Sequence, residues 1–527
     1  MQKLTCDYLV VGAGAASLAF IDTLLIELPE AKVILVDKHE APGGHWIDAY
    51  DFVRLHQPSL LYGVSSKQME GNWLYCLLKG FTLPWNHRAT KAQILSYFKS
   101  LVNGWVGKGM MEYYSLCKYD FHAKKDDIHS FSSLDGKVKF TVKVKVKLVN
   151  ATLMEPIIPS LHPVTFPVEE GITISSPNDV FHMKNINTWF RNNERRFLVM
   201  GCGKTGVDTI CYLQREKGVD PDHITWIIPN DVWYLKRGNG GGMPSDYGRT
   251  LLEFDGDKDK SSLALEERGI FLRLDENIMP TRFRFPVVGI EELVLMRKVR
   301  NVIRRGRVTS ISLQKNYAVN NKSHDILVQF DSEQSSLILS STNENIIVNC
   351  TCPGPFNGIN PKDIFVSNNE MNLLTIFAPP VTLSVSCLGL LEAARMKGTL
   401  NLDFARNLFA AESKIKTVES PKISENEILK RIFRPINRNS LTSKTEFFDS
   451  IRLLGVFLAL ANHDSKFSFD WMKGNRLSIL HYPVGAKAHI YEDLQTILEK
   501  KKVLELSIEE ERGIELLCNK LACLEGK

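Results

Sequence analysis

Residues 5–46 read TCDYLVVGAGAASLAFIDTLLIELPEAKVILVDKHEAPGGHW, and their order decides the fold. Cys6–Val11 is short, apolar and ends at a glycine, as a buried parallel strand does. Gly12 and Gly14 then supply a tight turn and bare backbone. They let a pyrophosphate approach the free N–H groups and positive dipole end of the helix that follows. A second strand, Lys32–Val36, ends at Asp37, 23 residues beyond Gly14. That is close to the spacing at which a carboxylate accepts hydrogen bonds from ribose hydroxyls. Ser17 stands where the fingerprint has its third glycine, which predicts a helix lying slightly farther from its strand. Strand, glycine turn, helix, strand and acid together read as a dinucleotide-binding βαβ unit.

The pattern returns at residues 196–213, RFLVMGCGKTGVDTICYL, now with all three glycines, Gly201, Gly203 and Gly206. Lys204-Thr205 looks superficially like a P-loop, but Leu198 occupies the place of that motif's first glycine. The next strand, His223–Ile228, runs into Pro229-Asn230-Asp231. A cofactor with a 2′-phosphate favours a cation there and one without it an acid. Asn230 and Asp231 are followed by Lys236 and Arg237, so NADH and NADPH both stay open.

At 527 residues the chain is long enough for about three domains, and 44% hydrophobic residues provide for large cores. A net charge of +5 is small for this length and gives no reason to expect nucleic acid or an acidic membrane as partner. The apolar N-terminal run contains Asp7 and Asp22 and no cleavage-like site, so it does not read as a secretory signal. The ten cysteines include no C-x-x-C and no pairing with histidines at zinc spacing. They predict reduced, mostly buried thiols, no metal site and a cytoplasmic protein. Leu374–Leu391 is interrupted by prolines and Leu453–Ala461 is too short to span a bilayer. Both read as core helices, so no transmembrane segment is expected.

The polar, aromatic stretch Asp48–Ser66 has no clear period and reads as an ordered loop. It starts directly after Gly43-Gly44-His45-Trp46, close to whatever the first unit binds, and it carries Arg54, His56 and Gln57 as the catalytic candidates. Lys91–Val106 has the spacing of an amphipathic helix. Val138–Leu148 alternates as a half-buried antiparallel strand, with Lys143, Lys145 and Lys147 on a solvated face. Prolines 156, 159 and 163 mark a crossover between domains. Gly238–Gly242 reads either as a mobile lid or as a surface loop, and Glu291–Val302 as a helix with basic residues crowding its end through Arg307. A helix from about Thr382 ends at Gly398, and the remainder from about Leu402 is helical in pattern.

Two such units in one chain resemble the two-dinucleotide-binding-domain flavoproteins, with their glutathione-reductase-like FAD/NAD(P)-binding fold. More narrowly, Gly43-Gly44-His45-Trp46 is similar to the Gly-Gly-x-Trp of the flavin-containing and Baeyer–Villiger monooxygenase branch. Asn150-Ala151-Thr152-Leu153 and Asn349-Cys350-Thr351-Cys352 resemble degenerate forms of the family's Ala-Thr-Gly crossover segments. The resemblance covers roughly residues 1–400 and implies an α/β fold with two Rossmann-like domains and a mainly helical C-terminal region. Residues 1–160 are the first part of the FAD domain, 161–344 the NAD(P) domain, 345–401 the FAD return segment and 402–527 the helical region. It implies FAD at Gly12, Gly14, Ala15, Ala16, Asp37, Lys38, Gly44, His45 and Trp46. It implies NADPH or NADH at Gly201, Gly203, Lys204, Thr205, Gly206, Asn230 and Arg237.

The implied activity is oxidation of a small organic substrate by dioxygen through a flavin C4a-(hydro)peroxide. Arg54 would stabilise the peroxide charge, and His56 or Gln57 would bond flavin or substrate. The branch's Phe-x-Gly-x-x-x-His hallmark has no match in residues 166–190, where Gly171 and His182 are differently spaced. That keeps two alternatives: a reductase or dehydrogenase without oxygen insertion, and a non-catalytic flavoprotein with a partner-binding tail.

Overall fold

The computed structural model describes residues 2–69, 87–123, 127–184, 196–237, most of 250–315, 324–332, 336–339, 345–351, 364–375 and 381–399, with a few positions between 495 and 518. The Gly238–Gly242 loop, Pro379-Pro380 and nearly all of the tail from Leu402 lie outside the described residues.

In chain order the first body contains β1 (Gln2–Val11), α1 (Ala15–Glu27), β2 (Val33–Val36), α2 (His45–Asp48), α3 (Lys91–Gly107), β3 (Met111–Tyr114), β4 (Cys117–Tyr119), β5 (Ile128–Ser133) and β6 (Lys139–Asn150). The second contains β7 (Ile174–Ser175), α4 (Pro177–His182), β8 (Arg196–Met200), α5 (Lys204–Arg215), β9 (Ile224–Ile227), β10 (Val232–Lys236), α6 (Lys258–Glu267), β11 (Phe271–Leu272), β12 (Arg282–Val288), α7 (Ile290–Lys298), β13 (Asn301–Ile303), β14 (Val308–Lys315), β15 (His324–Phe330), β16 (Ser336–Leu339) and β17 (Asn345–Asn349). The chain then returns to the first body with β18 (Phe365–Ser367), β19 (Glu370–Asn372) and α8 (Val381–Met396).

The sheets run β18-β19-β6-β1-β2-β3 and β13-β9-β8-β17-β7, with β4 and β5 extending the first. In each, the strand before the glycine turn is central and parallel to its neighbours, as in β1 with β2 and β8 with β9. This is the doubly wound order that puts ligand sites at the carboxyl ends of the strands. The fold is therefore α/β with two Rossmann-like units. Because β17 pairs with β8, re-entry into the first sheet comes after Asn349, later than the boundary at residue 345.

Local chemistry accounts for these elements. All four residues of β2 are buried, as befits a strand covered on both faces. Residues 17–25 of α1 are all buried, Ser17, Asp22 and Thr23 among them, so this helix is covered on every side, and α8 packs on it. The two approach closely at Gly389, where a Cβ would meet Phe20 O at 2.8 Å. A Thr90/Gln93 capping box starts α3.

Two expectations change. Past Lys298 the expected helix gives way to β13, because β-branched Val302 and Ile303 pair with β9. Strand β6 is antiparallel only to β5; it is parallel to β1 and β19, and its last four residues are buried. Lys143 and Lys145 are solvated as expected, but Lys147 is fully buried, because β19 and α8 cover that end of the strand.

Candidate functional site

At the first turn Gly12 has φ +101°, which a side chain rarely tolerates. Ala151 and Thr152 pack against it, so that a Cβ would touch both at 3.4 Å. Gly14 is the N-cap of α1 and brings no side-chain cap to the helix N–H groups. Ser17 is buried and its hydroxyl donates to Gly14 O at 2.9 Å, which is how the third position dispenses with glycine. Asp37 closes the unit: one oxygen accepts from Ala13 N at 2.5 Å, the other from His39 N at 2.7 Å and from the imidazole at 2.9 Å. His39 spans to Asp48 with its other ring nitrogen at 3.2 Å. Lys38 is turned outward to Glu155 at 2.9 Å.

The Gly43-Gly44 pair lies directly on this turn. Gly43 N donates to Ala13 O at 2.9 Å, and Gly44, at φ +53°, passes so near Gly14 that a Cβ would meet its Cα at 2.9 Å. His45 and Trp46 begin α2, and the Trp46 indole donates to the Tyr62 hydroxyl at 2.7 Å.

The second turn repeats the first. Gly201 has φ +120°, Gly203 caps α5 without a side-chain bond, and Gly206 is where helix and turn meet. A Cβ on Gly206 would lie 2.1 Å from Gly201 O, the same carbonyl that accepts from the Trp226 indole at 2.8 Å. Each turn is also closed by the same Asn-x-Thr device. Asn150 Oδ1 accepts from Thr152 N at 3.1 Å and Oγ1 at 2.7 Å, and Asn349 Oδ1 from Thr351 N at 3.0 Å and Oγ1 at 2.5 Å. These are the two crossover segments, each packed on the first glycine of its unit.

One face of α5, residues 204, 208 and 212 at i,i+4 spacing, joins the two units. The Tyr50 hydroxyl donates to Asp208 at 2.9 Å, and Phe52 stacks on Tyr212 with ring centroids 4.0 Å apart. Lys204 pairs with Asp208 and, at 2.9 Å, with Glu292. Glu292 also receives Arg237 at 2.7 Å, Gly289 N at 2.7 Å and Arg88 at 3.4 Å. Burial opposes the Glu292 charge, but Lys204 and Arg237 overcome it and hold the carboxyl down at about 2.

His56 faces this cluster. Its side chain is exposed beside Lys204 and Arg237. Desolvation, then the charge of Lys204, pushes it down to about 4. His45 is likewise pushed down to about 4 by desolvation, against the pull of Glu155 and Asp48. Both rings are neutral at pH 7.

The structure thus gathers His56, Lys204 and Arg237, with Thr205 and Gly206 on the same helix. Arg54 stands apart: it is exposed, bridges backbone to Thr90, and reaches Arg88 O only at 3.5 Å. The Gln57 amide donates to Leu61 O at 2.8 Å and shapes the loop. Asn230 follows β9, half-buried. Sequence reasoning missed Tyr50, Arg88, Asp208 and Glu292. The Lys204/Asp208 spacing could have revealed Asp208, whereas nothing local marks Glu292.

The histidines predict a pH dependence. A free imidazole titrates near 6.5 and these near 4, so between those values the unfolded chain binds more protons. Stability is full above the unfolded value and falls as pH drops from about 6.5 toward 4. Glu292 adds a separate loss lower down, as pH falls from 4.5 through about 2. The urea midpoint should be lower at pH 5 than at pH 7.5, and His56→Gln should narrow the difference. Equal midpoints in the parent chain would refute the lowered titration of these rings.

No family model matches the chain. It is 33% identical over 320 residues to uncharacterized proteins of Mycobacterium tuberculosis (strain ATCC 25618 / H37Rv) and Mycobacterium bovis, with 59% of this chain and 56% of each relative covered. The chain therefore spans little more than half the length of these curated relatives. Among solved structures it is similar to an open cyclohexanone monooxygenase, with TM-score 0.45, 13% identity and 75% of this chain and 89% of that chain covered. A Kutzneria ornithine N-hydroxylase has TM-score 0.41 at 13% identity, covering 68% and 82%. A bacillithiol disulfide reductase of Bacillus cereus has TM-score 0.43 at 11% identity, covering 74% and 99%. Likeness at this level is one of chain path, and the fold assignment rests on strand order and the two glycine turns. Among the described residues no helix is long and apolar enough to cross a membrane.

Proposed function

We propose that the chain is an FAD-dependent oxidoreductase reduced by NADPH or NADH, acting as a monooxygenase on a small organic substrate. One observation carries the reading: two glycine turns with matching Asn-x-Thr closures stand in one chain, joined through the loop that follows the first. Residues 1–160 and 345–401, with the return after Asn349, form the FAD unit, and residues 161–344 form the nicotinamide unit.

The residues at the first turn fit a dinucleotide. Gly12 and Gly44 leave bare backbone where a Cβ would be strained or crowded, Gly14 adds a bare N-cap, and Ala15 and Ala16 open α1 with small side chains over uncapped N–H groups. Asp37 has three of its roughly four acceptor sites engaged and keeps capacity for a ribose hydroxyl. His45 and Trp46 continue from the turn toward the reacting end. FAD, when bound there, supplies hydride acceptance and dioxygen reduction. In the second unit Gly201, Gly203 and Gly206 offer the same approach, while Lys204 and Arg237 hold the cleft wall through Glu292.

The neutral His56 ring offers the substrate one donor and one acceptor. Exclusion of water favours oxygen transfer over release of hydrogen peroxide. Arg54, at the exposed rim, is suited to steering an anion inward rather than to contact with the reacting atoms.

The test is anaerobic titration of the purified flavoprotein with NADPH and NADH, followed by oxygen. Bleaching of the flavin supports the two-site reading, and Gly203→Trp should keep the flavin while abolishing bleaching. Loss of both together counts against separate sites. With an accepted substrate, peroxide should fall below one equivalent per NAD(P)H consumed. Stoichiometric peroxide across a broad panel of substrate types favours the reductase alternative.

A further inference from the structure

The choice between the two nicotinamide cofactors has a structural answer at the carboxyl ends of β9 and β13, and it rests on the proposal that the second unit binds such a cofactor. Three backbone segments meet there in register. Gly201 N donates to Ile227 O at 2.9 Å, linking the glycine turn to the end of β9, and Ile228 N donates to Ile303 O at 3.0 Å, linking β9 to the end of β13. In a doubly wound unit the adenosine ribose lies over this edge. The Tyr234 hydroxyl also reaches Cys202 O, inside the glycine turn, at 3.2 Å.

Asp231 and Arg304 are paired at the edge. Asp231 is the acid that follows the second strand, the place from which a carboxylate would receive ribose hydroxyls and repel a phosphate. Its side chain is 8% exposed, and Arg304 grips both oxygens, Nε to Oδ2 at 2.8 Å and Nη2 to Oδ1 at 3.3 Å. Arg304 is the first residue past β13 and remains 27% exposed, and among the described residues its Nη1 has no hydrogen-bond partner. Asp275 stands farther off, at 3.8 Å from Nη2. Arg305 turns away to Ser336 O, so it is Arg304 that faces the ribose edge. The neighbouring Asn230 is uncharged.

We infer that Arg304 selects the 2′-phosphorylated cofactor, NADPH, and that Asp231 is a positioning residue that presents its guanidinium instead of a receptor for the ribose hydroxyls. A fork of two bonds to Asp231 fixes the guanidinium plane and leaves Nη1 for a phosphate oxygen, geometry that lysine does not reproduce. The same pairing cancels the acid that would repel a dianionic phosphate.

Calorimetry on the FAD-loaded protein with NADPH, NADH, 2′,5′-ADP and 5′-AMP tests this without turnover. The parent chain should bind NADPH at least about 10-fold more tightly than NADH, and 2′,5′-ADP more tightly than 5′-AMP, consistent with the strength of a charge-assisted bond. Arg304→Gln should weaken NADPH and 2′,5′-ADP about 10–100-fold and leave NADH and 5′-AMP unchanged. Arg304→Lys should restore only part of the loss. Asp231→Asn should reduce the NADPH-to-NADH affinity ratio and Asp231→Glu should partly restore it, whereas a merely structural role would weaken both cofactors alike. Equal affinities in the parent chain, or a loss of NADH binding alone in Asp231→Asn, overturns the inference and leaves the second site standing. Binding of none of the four ligands overturns the inference and the second site together.

Discussion

Glu392→Gln should destabilise the chain by about 3–5 kcal/mol, the usual consequence of removing one partner of a buried ion pair. Glu392 sits on α8 with no exposed surface, and Lys147 of β6, equally buried, lies 3.4 Å away. Its oxygens also accept from the Tyr8 hydroxyl at 3.2 Å and from the Arg395 guanidinium at 2.9 and 2.7 Å. One carboxylate therefore serves two cations. Without it Lys147 loses the carboxylate at 3.4 Å, while its ammonium stays 5.6 Å from the centroid of the Phe365 ring. Lys147→Met should cost distinctly less, because Glu392 then retains Arg395 and Tyr8, and methionine fills much of the lysine stem's volume. Chemical denaturation of the FAD-loaded protein checks the ordering through the midpoint of its first transition. Equal losses, or a larger loss for Lys147→Met, would show that Glu392 is not the counter-charge for this interior.

Both dinucleotide units were legible in the sequence, for a local reason. Each is specified within about 40 residues by a strand, a turn that only glycine can make and a following strand. What covers a surface was not legible. The alternation of β6 groups Lys143, Lys145 and Lys147 on one face, but β19 and α8, which bury Lys147, arrive more than 200 residues later. Glu292 is 88 residues from Lys204 and reaches it only because α7 packs on α5. Asp231 was legible as an acid after β9, whereas its commitment to Arg304 depends on β13, a segment that read as the end of a helix. Ser17 illustrates the reverse case. It looked like a weakness in the first fingerprint, yet its hydroxyl turns back to Gly14 O, a bond no motif records.

That difference between the third positions gives the other large effect. Gly206→Ala should raise the Kd for NADPH about 10–100-fold, the equivalent of ~1–3 kcal/mol of overpacking, while FAD stays bound. The added methyl would lie 2.1 Å from Gly201 O, far inside contact distance, and the carbonyl has little room to yield. It is fixed by the Trp226 indole at 2.8 Å, and Gly201 itself is pressed against Cys350 O, where a Cβ would stand at 2.9 Å. The helix must therefore move, or the turn must break its bond to Trp226, and either shift displaces the N–H groups that would meet the pyrophosphate. At the matching position of the first unit Ser17→Gly should be nearly silent for FAD, since it removes only a local bond to Gly14 O. Calorimetry with NADPH and flavin fluorescence on the two variants separate the outcomes. Undiminished NADPH binding by Gly206→Ala would mean that the cofactor does not rest on this turn, and an equal loss of FAD would mean that the two units do not bind independently.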